Sequence, residues 1–342
     1  MARSQLLRLL GSLVSLSLVA MSFVSCGEAS TAQTITPSTR TPVPPSSDCY
    51  QHFGVTLSGA EWEGTDYIRP TNDELKYYAQ QGVKIIRLEI RWDRFQPNFY
   101  GSFNQSEVDW LKGFIAQAAS LNMTVDVDLH ERSNLDDLNF GTDLPVAALV
   151  DFWRKMATTL QETPGICGFG IANEPDHNPD FLGQWSAQAN AVISALSPID
   201  QTHFFFVPED NWDSSHLWSA SQAQQIQDTA RHQVVFEAHS YWDRDESGNY
   251  MPDIPPTSSA NATALVMRKL GPFIQWCHTT GNRCLVGELG VPQNFGQAPG
   301  QGWLDALNYA FEYMRQNNIT GIYWAGGPGW GTTYPLSIEP VP

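Results

Sequence analysis

The chain has 342 residues, 42% hydrophobic and 12% aromatic, ample for a large core. Its formal net charge of -17, with no Lys/Arg cluster to offset it, excludes nucleic acid as a partner. A neutral polysaccharide fits an acidic chain with 12 tryptophans, since an indole offers a flat apolar face to a ligand.

In chain order, Arg3 and Arg8 precede an apolar stretch, Leu9 to Val24, that stops at Ser25-Cys26. Residues 1–26 therefore read as an export signal, too short to span a membrane. Phe23-Val24-Ser25-Cys26 resembles the lipobox of bacterial lipoproteins, in which the cysteine becomes the lipidated first residue. Ordinary secretion with cleavage nearby is the alternative. Residues 27–47 are rich in Ser, Thr and Pro and almost free of large apolar side chains, the composition of a linker. Setting Cys26 aside, the other four of the five cysteines can form two disulfides after export. Cys277 and Cys284 flank a turn-like spacer and are expected to pair, and Cys49 with Cys167 is the second pairing.

From residue 48 on, short apolar runs alternate with helical patterns. Strands are predicted at Phe53–Leu57, Lys84–Ile90, Thr124–Leu129, Ile166–Ala172, His203–Val207, Gln233–Ala238, Leu285–Glu288 and Gly321–Trp324. Helices are predicted at Asn72–Gln81, Ser106–Leu121, Pro145–Gln161, Asp180–Leu196, a mixed Ser214–Ala230, Ala262–His278 broken near Pro272, and Gly302–Asn317. Strands alternating with helices imply a parallel sheet, and eight of them suit a closed (β/α)8 TIM barrel as one α/β domain over 48–342. The Gly- and Pro-rich tail leaves the last helix short or absent. In the fourth strand, Pro175 is expected to end the ladder, since it has no N–H to donate.

Reactive groups in such barrels sit at the C-terminal strand ends. Those ends carry Arg87, His130, Asn173-Glu174, Glu209, His239 with Tyr241, Glu288 and Trp324. Each alone is ordinary, a cap or an ion pair. Together around one mouth they form a costly cluster of buried charge. Two carboxylates flanking one bond is the pattern of glycoside hydrolysis: one protonates the leaving oxygen, the other attacks carbon or activates water. The run Asp126-Val127-Asp128-Leu129-His130-Glu131 lacks the His-x-x-x-His spacing of a helical metal site, so no metal or other cofactor is expected. A Gly-x-Ser-x-Gly elbow is absent, which removes a serine nucleophile. Trp110, Trp153 and Trp185 lie in helical patterns and read as packing. Trp62, Trp212, Trp242, Trp324 and Trp330 follow or end strands and are candidates to stack on a sugar, with Glu209 and Asp210 as candidate hydroxyl ligands.

The runs GVTLSGAEWEG, IIRLEIRWDRFQP, DLH, IANEP, HSYWD, GELGVP and YWAGGPGWG stand in this order between Phe53 and Pro340. They resemble the family 5 glycoside hydrolases, the cellulase family. The resemblance implies a retaining mechanism with Glu174 as acid/base and Glu288 as nucleophile. It implies that Arg87 supports the nucleophile, that Asn173 holds the sugar 2-hydroxyl, and that His130, His239 and Tyr241 ring the cleaved bond. Trp324 would be the platform under the sugar; Trp62 and Trp212, from their places after strands, are taken as further binding residues. DLHERSN departs from the family's Asp-Pro-His-Asn type of sequence, and GPGW lacks one tryptophan of the commoner GPWW. The expectation is an exported, monomeric endo-β-1,4-glucanase acting on cellulose-like or mixed-linkage glucans. In it Glu174 is protonated at rest and Arg87 keeps Glu288 ionised. The same mechanism on mannan or another β-glycan, and a catalytically silent carbohydrate-binding lipoprotein, are the alternatives.

Overall fold

The computed structural model describes residues 49–340 except 63, 132–138, 177–179, 181–182, 229–232, 251–252, 293–300 and 332. The expected export signal and linker, Cys26 included, lie outside the described residues.

Eight β-branched and aromatic runs form β1 (Gly54–Leu57), β2 (Ile85–Arg91), β3 (Thr124–Glu131), β4 (Ile166–Gly170), β5 (Phe204–Pro208), β6 (Val234–Ser240), β7 (Cys284–Leu289) and β8 (Thr320–Gly326). Each pairs in parallel with the next, and β8 returns to β1, so the barrel closes with no free edge. The helices are α1 (Asn72–Gln80), α2 (Trp92–Phe95), α3 (Gln105–Ser120), α4 (Val146–Leu160), α5 (Gln184–Leu196), α6 (Ala220–Ala223), α7 (Ser259–Thr280) and α8 (Gln301–Gln316). The fold is the expected TIM barrel, and among the described residues no helix follows β8.

Local chemistry fixes several boundaries. Thr71 and Glu74 form a reciprocal capping box that starts α1. Asn104 and Ser258 cap α3 and α7 through their side chains. The expected break at Pro272 does not occur. Pro272 forfeits one backbone bond, but Leu270, Phe273, Ile274 and Cys277 around it are buried, and α7 runs on to a left-handed Gly281. Of the mixed Ser214–Ala230 pattern only α6 is helical among the described residues, because Ser214 and Ser215 are instead drawn into a bridge with His239 of β6. The fourth strand also differs. Its ladder bonds continue past Gly170, with Ile171 N–H donating to Phe206 and Asn173 N–H to Leu129. What ends it is the turn at Glu174, at φ 42, one residue before Pro175.

Two cores result. The outer faces of the strands pack on the helices through residues such as Ile86, Leu88, Val125, Phe169 and Val207. A separate apolar plug of Ile85, Phe204, Phe206, Val235, Leu285 and Ile322 closes the barrel floor, with Tyr50 packed beneath it. Both expected disulfides form: Cys49–Cys167 ties the start of the domain to the floor end of β4, and Cys277–Cys284 ties α7 to β7.

Candidate active site

Above the plug the barrel interior turns polar, because alternate residues of one strand face the same way. Ile85 of the plug is followed on its face by Arg87 and Glu89, and Val235 by Glu237 and His239. On β7 alternation alone would turn Glu288 away from the face shared by Leu285 and Gly287. The register of β6 against β7 shifts between Ala238 and His239, so His239 pairs with Glu288, and the carboxylate comes back into the mouth. Gly287 is glycine for a spatial reason. A Cβ there would lie 1.7 Å from Glu237 Oε1.

Arg87 is the hub. Its Nη1 lies 2.6 Å from Glu288 Oε1, its Nη2 3.2 Å from Asp128 and its Nε 3.2 Å from Glu237. Nη2 also donates to Asn173 Oδ1 at 3.0 Å. Burial works against the guanidinium's charge, but the carboxylates of Asp128, Glu237, Glu288 and Glu89 outweigh it and hold Arg87 firmly protonated. Tyr241 donates to Glu288 Oε2 at 2.6 Å. His130 Nδ1 lies 3.0 Å from Asp128 Oδ2, and Asn173 Nδ2 lies 3.3 Å from His130 Nε2.

His239 Nδ1 is 2.8 Å from Glu174 Oε1 and 3.5 Å from Glu288 Oε2. Burial lowers the imidazole's pKa, yet Glu288, Glu174, Glu237 and Asp213 raise it well above the ordinary histidine range. Burial pushes the Glu174 carboxyl up, but the His239 hydrogen bond and charge carry it below its usual range. Burial also raises Glu288, and His239 and Arg87 offset only part of that. The two carboxyls are thus shifted in directions opposite to those expected for a neutral Glu174 facing an ionised Glu288. The cause is that the imidazole sits nearer Glu174. One oxygen of Glu174 and one of Glu288 lie within 4.8 Å of each other and of a His239 nitrogen. Glu89, His130 and Glu288 likewise bring ligand atoms within 4.8 Å of one another. Both sets have the donors for a cation, with His239 and His130 already hydrogen-bonded to carboxylates within the cluster.

The cellulase family, glycosyl hydrolase family 5, matches residues 41–329. The chain belongs to that family. Endo-beta-1,4-glucanase B of Emericella nidulans is 23% identical over 308 residues, 85% of this chain and 87% of its own length. The solved structure of the Pseudomonas stutzeri endoglucanase Cel5A superposes with a TM-score of 0.74 at 30% identity, covering 86% of this chain and 92% of that one. The solved structure of XacCel5A in complex with cellopentaose aligns at 26% identity and TM-score 0.72 over 86% of this chain and 95% of that one. The protein is thus a glycoside hydrolase of family 5.

Two cavities flank the carboxylate pair of this family 5 domain. One, about 470 Å³, is lined by Glu61, Trp62, Arg91, His130, Trp324 and Trp330. The other, about 360 Å³, is lined by Glu174, Trp212, Leu217, His239, Tyr241 and Arg244. Trp324 stands half-buried, its N–H donated to Glu89 Oε1 at 2.9 Å. Trp330 keeps one face against Tyr334, with ring centroids 4.2 Å apart.

Some expectations hold and others need correction. Arg87 has no accessible surface and lies against Glu288, so it is not placed to meet a sugar. Trp242 is buried and donates to Ser240 Oγ: Tyr241 takes the mouth-facing direction and its neighbour points away. Glu209 is fully buried and cannot meet a hydroxyl, and burial beside Asp210 pushes its carboxyl up to about 10. Trp153 and Trp185 are core residues, their N–H groups donated to Ile171 and Pro208 carbonyls. Trp110 is half-buried, and its ring lies beneath the Arg69 guanidinium. The family departure at Leu129 and Glu131 stands at the end of β3, and its continuation from Arg132 lies outside the described residues. Sequence reasoning missed Glu89, Asp128 and Glu237. They stand two residues from Arg87, His130 and His239 respectively, on the same strand face, and that spacing was the signal.

Proposed function

We propose that this chain is a retaining endo-β-1,4-glucanase in which Glu174 is the acid/base and Glu288 the nucleophile. The observation that carries the reading is the approach of the two carboxylates within 4.8 Å, between two open cavities. A retaining pair stands about 5–5.5 Å apart and an inverting pair about 6.5–9.5 Å. The names of the relatives, endoglucanases, and the presence of a cavity on either side of the carboxylate pair support cleavage inside a β-1,4-glucan.

In this reading Glu288 attacks the anomeric carbon while Glu174 protonates the departing oxygen. Water then hydrolyses the glycosyl ester, with Glu174 taking its proton. The productive microstate needs Glu288 ionised and Glu174 protonated. His239 Nδ1 lies 2.8 Å from Glu174 and 3.5 Å from Glu288, so the imidazole couples the titration of the two carboxyls, and one proton held on the pair serves that state. Arg87 and Tyr241 spread the charge of Glu288 before attack and after release. Asn173, fixed by Arg87, presents its amide at the glycone side, and Trp324 supplies the ring face under that sugar.

Proton NMR of the first product from a soluble β-1,4-glucan tests this. The β-anomer is expected, and the α-anomer overturns the nucleophile assignment. Glu288→Ala should abolish turnover, and Glu174→Ala with azide should release a β-glycosyl azide from an aryl cellobioside. A panel of glucans and mannans distinguishes the substrate classes. Export as a monomer anchored through lipidated Cys26 belongs to the same proposal, supported by the signal-like first 26 residues and by two disulfides that suit an oxidising compartment. Cys26→Ser should move the protein from the membrane to the soluble fraction. A wholly soluble native protein of unchanged location sinks the anchor.

A further inference from the structure

The segment after β5 holds an unusual backbone. Asn211, Trp212 and Asp213 are consecutive non-glycine residues at φ 83, 52 and 56. L residues rarely adopt that region, so such a turn persists only where its surroundings over-determine it. Its inner side is held at the active site. Trp212 N–H donates to Pro175, Glu174 N–H donates to Asp213 Oδ2 at 3.3 Å, and His239 N–H donates to the Asp213 carbonyl at 2.6 Å.

The outer side is held by one residue of the next loop. Glu246 Oε2 accepts from Ser214 Oγ at 2.6 Å. Its Oε1 lies 2.6 Å from His216 Nδ1 and accepts from Lys269 Nζ at 2.7 Å. Ser214 Oγ in turn accepts from Leu217 N–H at 3.1 Å. Glu246 itself sits at φ 60. One carboxylate therefore joins the segment after β5, the loop after β6 and helix α7. None of these contacts is to a group of the catalytic cluster.

What this clasp presents is Trp212, 53% exposed, on the wall of the cavity that contains Glu174. If Glu174 protonates the departing oxygen, the sugar beyond that oxygen must occupy this cavity. We propose that Glu246 is a positioning residue for leaving-group recognition: it clasps the segment from Asn211 to Leu217 so that Trp212 stands as a platform for the departing sugar. The inference rests on the acid role of Glu174.

The test compares two substrates on the purified full chain. A cello-oligosaccharide has a sugar leaving group, and β-cellobiosyl fluoride has a single atom. The readout is the ratio of their kcat/KM values. Glu246→Ala and Trp212→Ala should each lower the oligosaccharide-to-fluoride ratio roughly 10-fold, the scale of one lost stacking contact. The double variant should lose no more than either single one, because the clasp acts through the indole. Glu246→Gln, whose oxygen can accept from Lys269 while its amide N–H donates to Ser214 Oγ, should recover most of the ratio. Ser214→Ala removes one arm of the clasp with minimal risk to folding, and should lower the ratio in the same direction. An unchanged ratio in Glu246→Ala and Ser214→Ala, an equal loss on both substrates, or losses that multiply in the double variant would each overturn the proposal. Failure of the underlying reading shows separately: Glu174→Ala would then slow the fluoride as much as the oligosaccharide, although fluoride leaves with little acid assistance.

Discussion

Replacing Gly287 with alanine should damage both the fold and the catalytic centre. The new Cβ would lie 1.7 Å from Glu237 Oε1, 2.5 Å from its Cδ and 2.7 Å from its Cγ. Ordinary contact begins near 3.4 Å, so the carboxylate must retreat by the difference between 3.4 and 1.7 Å. It has no free direction. Glu237 is 1% exposed, and its Oε1 is held 3.2 Å from Arg87 Nε. Overpacking of a dense core costs about 1–3 kcal/mol. Breaking a buried ion pair adds roughly 3–5 kcal/mol. The expected loss of stability is therefore about 4 kcal/mol or more, read as a lower midpoint in urea with an unchanged slope. Glu288 is the next residue, so surviving folded protein should lose roughly 100-fold in kcat, as a catalytic group misplaced by about 1 Å would. Gly113→Ala is the control. Gly113 lies exposed in α3 with nothing within 4 Å of its Cβ position, and the change should stabilise by about 0.5–1 kcal/mol. A Gly287→Ala enzyme with unchanged urea midpoint and activity would refute the steric account of this residue.

Burial, with Glu237 and Asp128 nearby, raises Asp126 well above the carboxylate range. The folded protein thus holds a proton that the unfolded chain gives up near pH 4. Its stability is complete below the unfolded pKa and is lost as pH rises through the folded one. Asp126→Asn should flatten that alkaline loss in urea titrations at pH 5 and pH 9, and an unchanged slope would clear Asp126 of the effect. Trp324→Ala should lower kcat/KM about 10- to 100-fold with circular dichroism unchanged, from the roughly 1–3 kcal/mol of a stacking contact. Full activity would make Trp324 a packing residue. Cys49→Ser with Cys167→Ser should cost about 2–5 kcal/mol in reversible unfolding, while the activity of folded protein at low temperature stays within experimental error.

The alternation of strands and helices, and with it the barrel, was legible because parallel strands buried on both faces read as apolar runs. The two glutamates were legible because each follows such a run in a motif. What lay hidden was the polar floor of the site. Glu89, Asp128 and Glu237 sit within strands, where a single acid reads as a tolerated exception, and only the two-residue step to Arg87, His130 and His239 ties them to the chemistry. Trp242 misled for the reverse reason: nearness to the mouth in sequence says nothing of direction, and Tyr241 had taken the inward one. The direction of the two carboxyl shifts also escaped reading. It depends on whether His239 stands nearer Glu174 or Glu288, a difference between 2.8 and 3.5 Å.

The bridge from Cys49 to Cys167 has a mechanical consequence. Cys49 enters beneath the plug, at the floor end of β4, and the carboxylate pair lies at the other end of the barrel axis. A pull on the chain that precedes it is delivered through sulfur into β4, which is zipped to β3 on one side and β5 on the other. β1, the first strand in sequence and the one such a load would otherwise peel away, is bypassed. A polymer dragging against the groove would load the molecule from the opposite pole, so the barrel stands between the two forces as a strut.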